Sequence, residues 1–250
     1  MTRTSIAGLA LCLAASPLAL AQNAERLLQG VTRTQDTLEL RTSDGRYLIK
    51  PYSNTIVETT FIPNGEVLDP ASHAVVLAPQ PVQASLKEDA ARITFATSGI
   101  SVTVDKRPLR ISYSYKGKPL VAEKRGYGRG KEFETIEFAL DEGEALYGAG
   151  ARAVGMNRRG NRFQLYNKAH YGYGDRSELL NYTIPVALSS KKYALHFDNP
   201  QTGWLDFDSR KDGTLRYEVI GGRKTYQVVA GDSWDDVMAG YTGLTGRQPL

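Results

Sequence analysis

The sequence predicts an all-β protein, organised as a large antiparallel β-sandwich. From Thr37 onward, short runs rich in valine, isoleucine, threonine and aromatic residues alternate apolar with polar positions, and turn residues separate the runs. In residues 100–104 the apolar side chains occupy every second position, which places them on one face of a sheet. About a dozen such runs follow one another without an intervening helix, and this arrangement is typical of a sandwich.

The predicted strands fall into two groups, one before and one after a long irregular stretch. An Asp44-Gly45 pair between the first two strands favours a tight hairpin. The proline-containing residues 66–90 show little periodicity, so we expect a loop or ragged edge strands there. The predicted strands are residues 37–42, 46–52, 56–61, 91–97, 100–105, 109–115, 133–140, 183–188, 192–198, 203–208, 214–220 and 224–230.

The chain is organised around residues 144–199. Ahead of the strand at residue 183, this stretch crowds glycines, arginines, amides and aromatic residues together without the period of a strand or a helix. It is therefore predicted to be a long structured loop, and long loops of this kind are usually functional.

One helix is predicted, near the end of the chain. Asp232 or Ser233 can cap it, and two aspartates follow in the first turn, where the helix dipole favours them. Gly243 and Gly246 are expected to end it. Its apolar face carries Trp234, Val237, Met238, Tyr241 and Leu244.

The first residues indicate an exported protein, periplasmic or secreted. Arg3 precedes an apolar run over residues 6–20 that ends in small residues, the pattern of a signal peptide cleaved before Gln22. A membrane anchor is disfavoured, because the run is shorter than the roughly 20 apolar residues that a span needs. The predicted divisions are a signal peptide over 1–21, a β-sandwich over 22–230 and a helical end over 231–250.

The composition excludes several kinds of chemistry. The only cysteine, Cys12, lies in the predicted signal peptide, so a mature chain would lack disulfides, thiolate nucleophiles and cysteine-based zinc sites. Loss of Arg3 lowers the formal net charge by one, from +4 to +3, which is too small to indicate a strongly charged partner. The three histidines lack metal-ligand spacing, so neither a metal nor a cofactor is predicted.

The glycines of Gly148-x-Gly150-x-x-Ala153 superficially match a dinucleotide-binding motif. That motif requires a helix whose amide groups hold the pyrophosphate, and the following residues do not begin one. We interpret the glycines instead as allowing a tight backbone path beside a cleft.

Arginines interleaved with aromatic residues allow two further interpretations of the loop. They could follow a nucleic-acid backbone, but the export signal disfavours that partner and none is predicted. We expect most of the arginines to pair with Asp175, Glu178 and their neighbours, which would hold the loop in place. Tyr171 and Tyr173 are expected to be exposed for stacking on sugar rings, with core packing as the alternative. The arginines are Arg152, Arg158, Arg159 and Arg162.

The remaining polar candidates are two histidines and a pair of carboxylates. His170 lies in the loop and is a candidate polar contact, whereas His196 lies on a strand and is expected to be structural. Asp206 and Asp208 share one face of a strand with Trp204. Two such carboxylates could serve as the acid and nucleophile of a retaining glycosidase, which holds them about 5 Å apart. A solvated strand face is the favoured interpretation.

A set of short motifs, taken in order, carries a family resemblance. They are Leu146-Tyr-Gly-x-Gly150 with Arg152, Asn157-Arg-Arg-Gly160, Tyr166-Asn167, Tyr182-Thr-Ile-Pro185 and Phe197-Asp-Asn199. Together they resemble the amino-terminal region of glycoside hydrolase family 31, which comprises α-glucosidases, α-xylosidases and α-glucosyltransferases. Weaker similarity over residues 100–118 and 234–250 extends the resemblance to nearly all of the mature chain.

The resemblance implies a galactose-mutarotase-like β-sandwich that packs on a (β/α)8 barrel and sends a loop toward the barrel's active site. The family's two catalytic aspartates, the nucleophile and the acid/base of a retaining mechanism, belong to that barrel. Residues 231–250 would be a helix and the start of the linker to it, so no residue here is assigned a catalytic role. The chain alone is expected to be inactive. Contacts to an oligosaccharide substrate, an α-glucoside, are assigned to Asn167, His170, Tyr171 and Tyr173.

One departure from the family pattern bears on specificity. Many family α-glucosidases carry an aspartate two residues after the loop asparagine, whereas Asn167 is followed here by Lys168 and Ala169. A plain maltase is therefore less favoured, and a glucosyltransferase or another α-glycosidase stays open. A free-standing carbohydrate-binding module and a mutarotase-type epimerase, which needs a general base and acid in one cleft, are the alternative functions.

Overall fold

The computed structural model describes residues 26–34 and 36–247, so the predicted signal peptide and Cys12 lie outside the described residues. Within these ranges the chain forms two antiparallel sheets and one helix, and the predicted all-β sandwich is confirmed. The strands are β1 (Leu28–Arg33), β2 (Leu38–Thr42), β3 (Gly45–Pro51), β4 (Ile56–Pro63), β5 (Ser85–Glu88), β6 (Arg92–Ala96), β7 (Ile100–Lys106), β8 (Leu109–Tyr115), β9 (Lys118–Arg129), β10 (Glu134–Ala139), β11 (Leu146–Gly148), β12 (Asn161–Leu165), β13 (Val186–Ser189), β14 (Tyr193–Phe197), β15 (Gly203–Phe207), β16 (Thr214–Val219) and β17 (Thr225–Ala230).

The described strands divide into sheet A and sheet B. Sheet A has the order β1-β2-β3-β4-β17-β14-β13-β11, and sheet B has the order β12-β15-β16-β10-β9-β8-β7-β6-β5. Strands β1 to β4 of sheet A, and strands β5 to β10 of sheet B, follow one another as antiparallel hairpins. Strands β11 to β17 are shared between the two sheets, so that β11 lies at one edge of sheet A and β12 at one edge of sheet B.

Aromatic side chains fill the space between the sheets. Phe197 of sheet A stacks on Tyr217 of sheet B with ring centroids 4.2 Å apart and planes 6° apart. Phe138 of sheet B meets Tyr226 of sheet A edge to face at 5.1 Å. Burying aromatic rings in these geometries adds to the hydrophobic stabilisation that holds the two sheets together.

The predicted helix, α1 (Trp234–Thr245), packs on the outer face of sheet A. Ser233 is its N-cap, and its side chain and that of Asp236 form a reciprocal capping box. Gly243 lies inside the helix, so only Gly246 ends it, with φ +96°. Val237 and Leu244 bury against β14 and β17, and these two strands are therefore buried on both faces.

Four strands were missed by the sequence prediction. β1 and β9 lack a clean alternation, because β1 contains glycine and polar residues and β9 carries a bulge opposite β10. β11 and β12 are short strands inside the stretch predicted to be a loop. The loop or ragged edge strands expected over residues 66–90 are confirmed, because the segment is irregular and contains the short edge strand β5.

Candidate functional site

The aromatic loop, residues 166–182, leaves the edge of sheet B after β12 and returns toward sheet A before β13. Two asparagine side chains close its stem. The Asn167 Oδ1 atom accepts a hydrogen bond from the Thr183 backbone N–H at 2.6 Å, and the Asn181 Oδ1 atom accepts one from the His170 backbone N–H at 2.6 Å. An amide side chain can replace a missing backbone partner in this way, so the loop has a defined path although it lacks regular structure.

The glycines of the Gly148-x-Gly150 motif allow the backbone after β11 to lie close to residues 182–186. The Ala149 and Ala151 backbone N–H groups donate to the carbonyls of Val186 and Tyr182 at 2.9 and 3.0 Å. A Cβ atom on Gly150 would lie 2.7 Å from the Tyr182 carbonyl oxygen, closer than real contacts allow. The tight backbone path predicted for these glycines is confirmed, and residues 149–160 contain no helix.

Arg152 ties the tip of the loop to β12. Its guanidinium donates to the backbone carbonyls of Glu178 at 2.7 Å and Gln164 at 3.0 Å, and it lies 5.0 Å from the centre of the Phe163 ring. Burial, with a contribution from nearby Arg158, lowers the pKa of Arg152 to about 10, so the group is still cationic at neutral pH. The predicted structural role is confirmed, but its partners are carbonyl oxygens rather than carboxylates.

The other arginines of this region also bind within the chain. Arg158 donates to two backbone carbonyls of its own turn, at 2.7 and 2.9 Å. Arg162 pairs with Glu218 of β16 at 2.8 Å and lies 4.1 Å from the centre of the Trp204 ring. Arg159 pairs with Asp208, the residue directly after β15, at 3.0 Å. The contacts of Arg159 and Arg162 attach the segment before the aromatic loop to sheet B, whereas those of Arg158 stabilise its own turn.

The four predicted substrate contacts lie together in the loop, but they differ in accessibility. Tyr171 is 90% exposed and Tyr173 is 56% exposed, so the alternative that they pack in the core is wrong. Asn167 is exposed, although its oxygen is engaged by the stem, and His170 is half-buried. The arrangement presents two aromatic faces and polar groups to solvent on a braced support. Whether they contact a substrate stays a prediction.

The predicted solvated strand face of Asp206 and Asp208 is wrong. Asp206 is fully buried and accepts hydrogen bonds from the Ser209 backbone N–H at 2.7 Å and hydroxyl at 3.0 Å. Asp208 pairs with Arg159. The outer face of sheet B carries an ionic layer here, which includes Arg216 at 3.9 Å from Asp206. Both carboxylates hold the turn after β15, and neither is placed for catalysis.

Two kinds of feature are absent from the described residues. No three histidine, cysteine, aspartate or glutamate side chains among them are grouped so that they could hold a metal ion. None of the helices in residues 26–34 and 36–247 has the length and apolar character needed to cross a membrane. His196, expected to be structural, is buried, and its Nδ1 lies 2.7 Å from the Gln227 side-chain oxygen, which confirms that prediction.

Two large antiparallel sheets, one helix on the outer face and an exposed aromatic loop at one edge define a galactose-mutarotase-like β-sandwich domain. The sequence profile of the glycosyl hydrolase 31 N-terminal galactose mutarotase-like domain matches residues 46–206. Because this match covers more than half of the chain, the chain belongs to glycoside hydrolase family 31 and contains its amino-terminal domain.

The relatives are enzymes that act on α-linked sugars. The chain is 30% identical over 226 residues to alpha-glucosidase 2 of Bacillus thermoamyloliquefaciens, which covers 88% of this chain and 29% of that enzyme. It is 38% identical over 117 residues to an alpha-xylosidase of Saccharolobus solfataricus, over 46% of this chain and 15% of that enzyme. The chain therefore spans less than a third of the length of these curated relatives.

Solved structures show the same fold. A family 31 dextranase of Flavobacterium johnsoniae in complex with glucose superposes with a TM-score of 0.84 at 20% identity, over 90% of this chain and 29% of that chain. A mutant of the same dextranase was solved with isomaltotriose bound, and it superposes with a TM-score of 0.83. At this identity the likeness establishes the β-sandwich fold alone.

Proposed function

We propose that this chain is the amino-terminal domain of an exported family 31 enzyme that acts on α-glucosides with a retaining mechanism, and that its aromatic loop shapes access to a catalytic barrel. The observation that carries the proposal is the exposure of Tyr171 and Tyr173 on a loop whose stem is closed by Asn167 and Asn181. Binding sites combine aromatic faces with a few fixed polar groups, and this loop offers both.

Two roles follow for the loop residues. The rings of Tyr171 and Tyr173 stack on sugar units beyond the scissile bond, and His170 with the free end of the Asn167 amide forms hydrogen bonds to sugar hydroxyls. The bond-breaking groups, a nucleophile and an acid/base, come from the barrel, as the family resemblance implies. The loop therefore affects which sugars are accepted more than the rate of the chemical step.

The similarity to an alpha-glucosidase over 88% of this chain supports an α-glucoside as substrate. Action on α-xylosides is a second candidate, which the 38% identity to an alpha-xylosidase favours over a shorter region. The absence of a carboxylate at Ala169 leaves hydrolysis and glucosyl transfer both open. Rates of the whole protein on p-nitrophenyl α-glucoside and α-xyloside separate the two substrates, and product analysis with added sugar acceptors separates hydrolysis from transfer.

The loop role is tested in the whole protein with its barrel. Replacing Tyr171 or His170 by alanine is expected to change the relative use of different acceptor sugars about tenfold while changing basal turnover less, because only the outer sugar loses contacts. The control is Ile220→Ala, an exposed apolar side chain next to β16. Acceptor profiles identical to wild type in both loop variants would remove the loop role but leave the α-glycosidase assignment intact.

Two measurements test the remaining parts of the proposal. Export predicts a mature protein that begins at Gln22 in the periplasmic or secreted fraction, and an intact Met1 in the cytoplasm would contradict it. The 250-residue chain alone is expected to release no sugar from α-glucosides. Hydrolysis by that chain would contradict the assignment of the catalytic groups to the barrel.

A further inference from the structure

A row of polar side chains crosses the outer face of sheet A at a distance from the aromatic loop. Lys50, Glu58, Gln227 and His196 lie on four neighbouring strands, β3, β4, β17 and β14, and each is the register partner of the next. Gln227 links the centre of the row. Its Nε2 atom donates to Glu58 Oε2 at 2.7 Å, and its Oε1 atom lies 2.7 Å from His196 Nδ1. We call these four residues the polar row.

The two ends of the polar row have different surroundings. His196 is buried, and its ring lies edge to face against Tyr241 of α1 with centroids 5.8 Å apart. At the other end, Lys50 and Glu58 line a cavity of ≈ 360 Å³, together with Arg223. Since His196 is covered by the helix, an acid/base pair of glutamate and histidine does not face this cavity. The open end is therefore a binding arrangement rather than the site of an epimerase.

Two polar groups at the open end have no partner among the described residues. Glu58 Oε2 accepts both the Gln227 hydrogen bond and one from the Tyr52 hydroxyl at 3.1 Å, whereas Oε1 accepts none from the described residues. Lys50 lies directly opposite Glu58, yet it forms no ion pair with any residue in the described ranges. The Arg223 guanidinium, by contrast, is engaged within the chain, because it donates to the backbone carbonyls of Asp69 and Ala71 and pairs with Asp198 at 3.0 Å. The free Glu58 oxygen and the Lys50 ammonium group are partly exposed at the cavity, so they can bind a ligand without first breaking a contact within the chain.

The cavity has a fixed roof and an apolar wall. The backbone N–H groups of Val76 and Leu77 donate to the carbonyl of Leu244 at the end of α1, at 2.9 and 3.2 Å. Ser72 donates to Asp198 at 2.8 Å and holds the preceding turn of the roof. Leu77 and Leu48 face the cavity from the roof and from β3. The space therefore exists before a ligand binds, which reduces the cost of binding.

We propose that this cavity binds a single neutral sugar ring. Lys50 and Glu58 balance one another in charge, and Arg223 is balanced by Asp198 at 3.0 Å, so the site carries no net charge to attract an ion. The free Glu58 carboxylate oxygen accepts hydrogen bonds from sugar hydroxyls, the Lys50 ammonium group donates to them, and the leucines cover the apolar face of the ring. The volume is at the small end of ligand sites, so it suits one ring.

This site is separate from the aromatic loop. Three strand spacings of sheet A, from β4 to β13, lie between the cavity and the strand into which the loop leads, which amounts to roughly 14 Å. Bound sugar would therefore not occupy the substrate path assigned to the loop.

The test is a titration of the 250-residue chain with D-glucose, D-xylose and D-glucose 6-phosphate. Binding is measured by calorimetry and by saturation-transfer NMR. We expect saturable binding of at least one of the two neutral sugars. Glu58→Gln and Lys50→Met should each weaken it at least tenfold. Matched controls are Glu132→Gln and Lys118→Met, which change exposed residues outside the cavity and should bind like wild type. Near-ultraviolet circular dichroism checks that every variant is folded.

Three results would overturn the proposal. The first is no saturable binding of either neutral sugar. The second is tighter binding of D-glucose 6-phosphate than of both neutral sugars, because that would require an uncompensated positive charge. The third is unchanged affinity in folded Glu58→Gln with loss of binding in Tyr171→Ala, which would assign the sugar to the aromatic loop. That last result would leave the proposed function intact.

Discussion

The side chain of Asn167 accepts a hydrogen bond from the Thr183 backbone N–H at 2.6 Å and so joins the two ends of the aromatic loop. The side-chain oxygen is used within the loop, whereas the NH2 group is the part that can donate a hydrogen bond to a sugar. Loop closure and substrate contact therefore depend on different atoms of one side chain, and two substitutions can separate them.

Replacing Asn167 by alanine is expected to open the loop stem. Loss of one hydrogen bond of ordinary strength, about 1 kcal/mol, should raise the hydrogen-exchange rate of the Thr183 amide about fivefold. Asn167→Asp keeps the acceptor oxygen and should retain most of the protection. In the whole protein, however, Asn167→Asp should still lose the contact from the NH2 group to sugar. Equal exchange rates in wild type and Asn167→Ala would show that the bond does not hold the stem.

Gly150 is predicted to be intolerant of any side chain. Its φ of +84° strains an L-residue, and an added Cβ atom would lie 2.7 Å from the Thr183 Cα atom. Gly150→Ala should lower the free energy of unfolding by about 2 kcal/mol or more, measured by urea denaturation. Gly155→Ala is the matched control, since no atom lies within 4 Å of its added Cβ. Equal stability of the two variants would contradict the steric argument.

The sandwich could be predicted because its strands alternate cleanly. Ile100, Val102 and Val104 all bury in the core, as their spacing requires. The prediction failed where one strand mixes environments. β9 carries the buried carboxylate of Glu123, and bulges shift its pairing by one residue opposite β8 and by two residues opposite β10, so its period is lost.

The loop contacts could be predicted only in outline. The sequence indicated exposed tyrosines and structural arginines, but Arg152 binds backbone carbonyls, which every residue offers and no sequence pattern distinguishes. Likewise, the alternation of apolar and polar residues along 203–208 predicts that the Asp206 side chain is exposed. Its burial depends on Arg216 of the next strand, a tertiary contact that alternation does not report.

Asp206 is expected to be important for stability. Its carboxylate accepts two hydrogen bonds from Ser209 and lies in the ionic layer of sheet B. Asp206→Ala leaves the Ser209 N–H without that acceptor and removes a buried charge that offsets Arg216, so it should cost roughly 3 kcal/mol in unfolding free energy. Asp175→Ala, at an exposed loop position, is the control and should change stability little. A near-neutral Asp206→Ala would mean that water replaces the carboxylate.

Glu123 introduces a pH dependence into the core. Its carboxylate lies between the sheets, where the Tyr226 hydroxyl donates to it at 2.7 Å. Burial raises the pKa of Glu123 to about 7, and it outweighs the opposing effects of the Tyr226 hydrogen bond and the Arg26 charge. The folded chain therefore holds this proton at pH values where the unfolded chain, with an ordinary pKa near 4.5, has released it.

The contribution of Glu123 to stability is thus complete below about pH 4.5 and falls as the pH rises to about 7, by on the order of 3 kcal/mol. Carboxylates with lowered pKa values, such as Asp44 and Glu66, work in the opposite direction, so the comparison must use matched variants. Glu123→Gln keeps an acceptor for Tyr226 and cannot ionise. Its unfolding free energy relative to wild type should increase between pH 4.5 and 7 and then level off, whereas that of Glu132→Gln should show no such rise. A pH-independent difference for Glu123→Gln would mean that the buried carboxylate is already ionised at acidic pH, with Arg26 as its counter-charge.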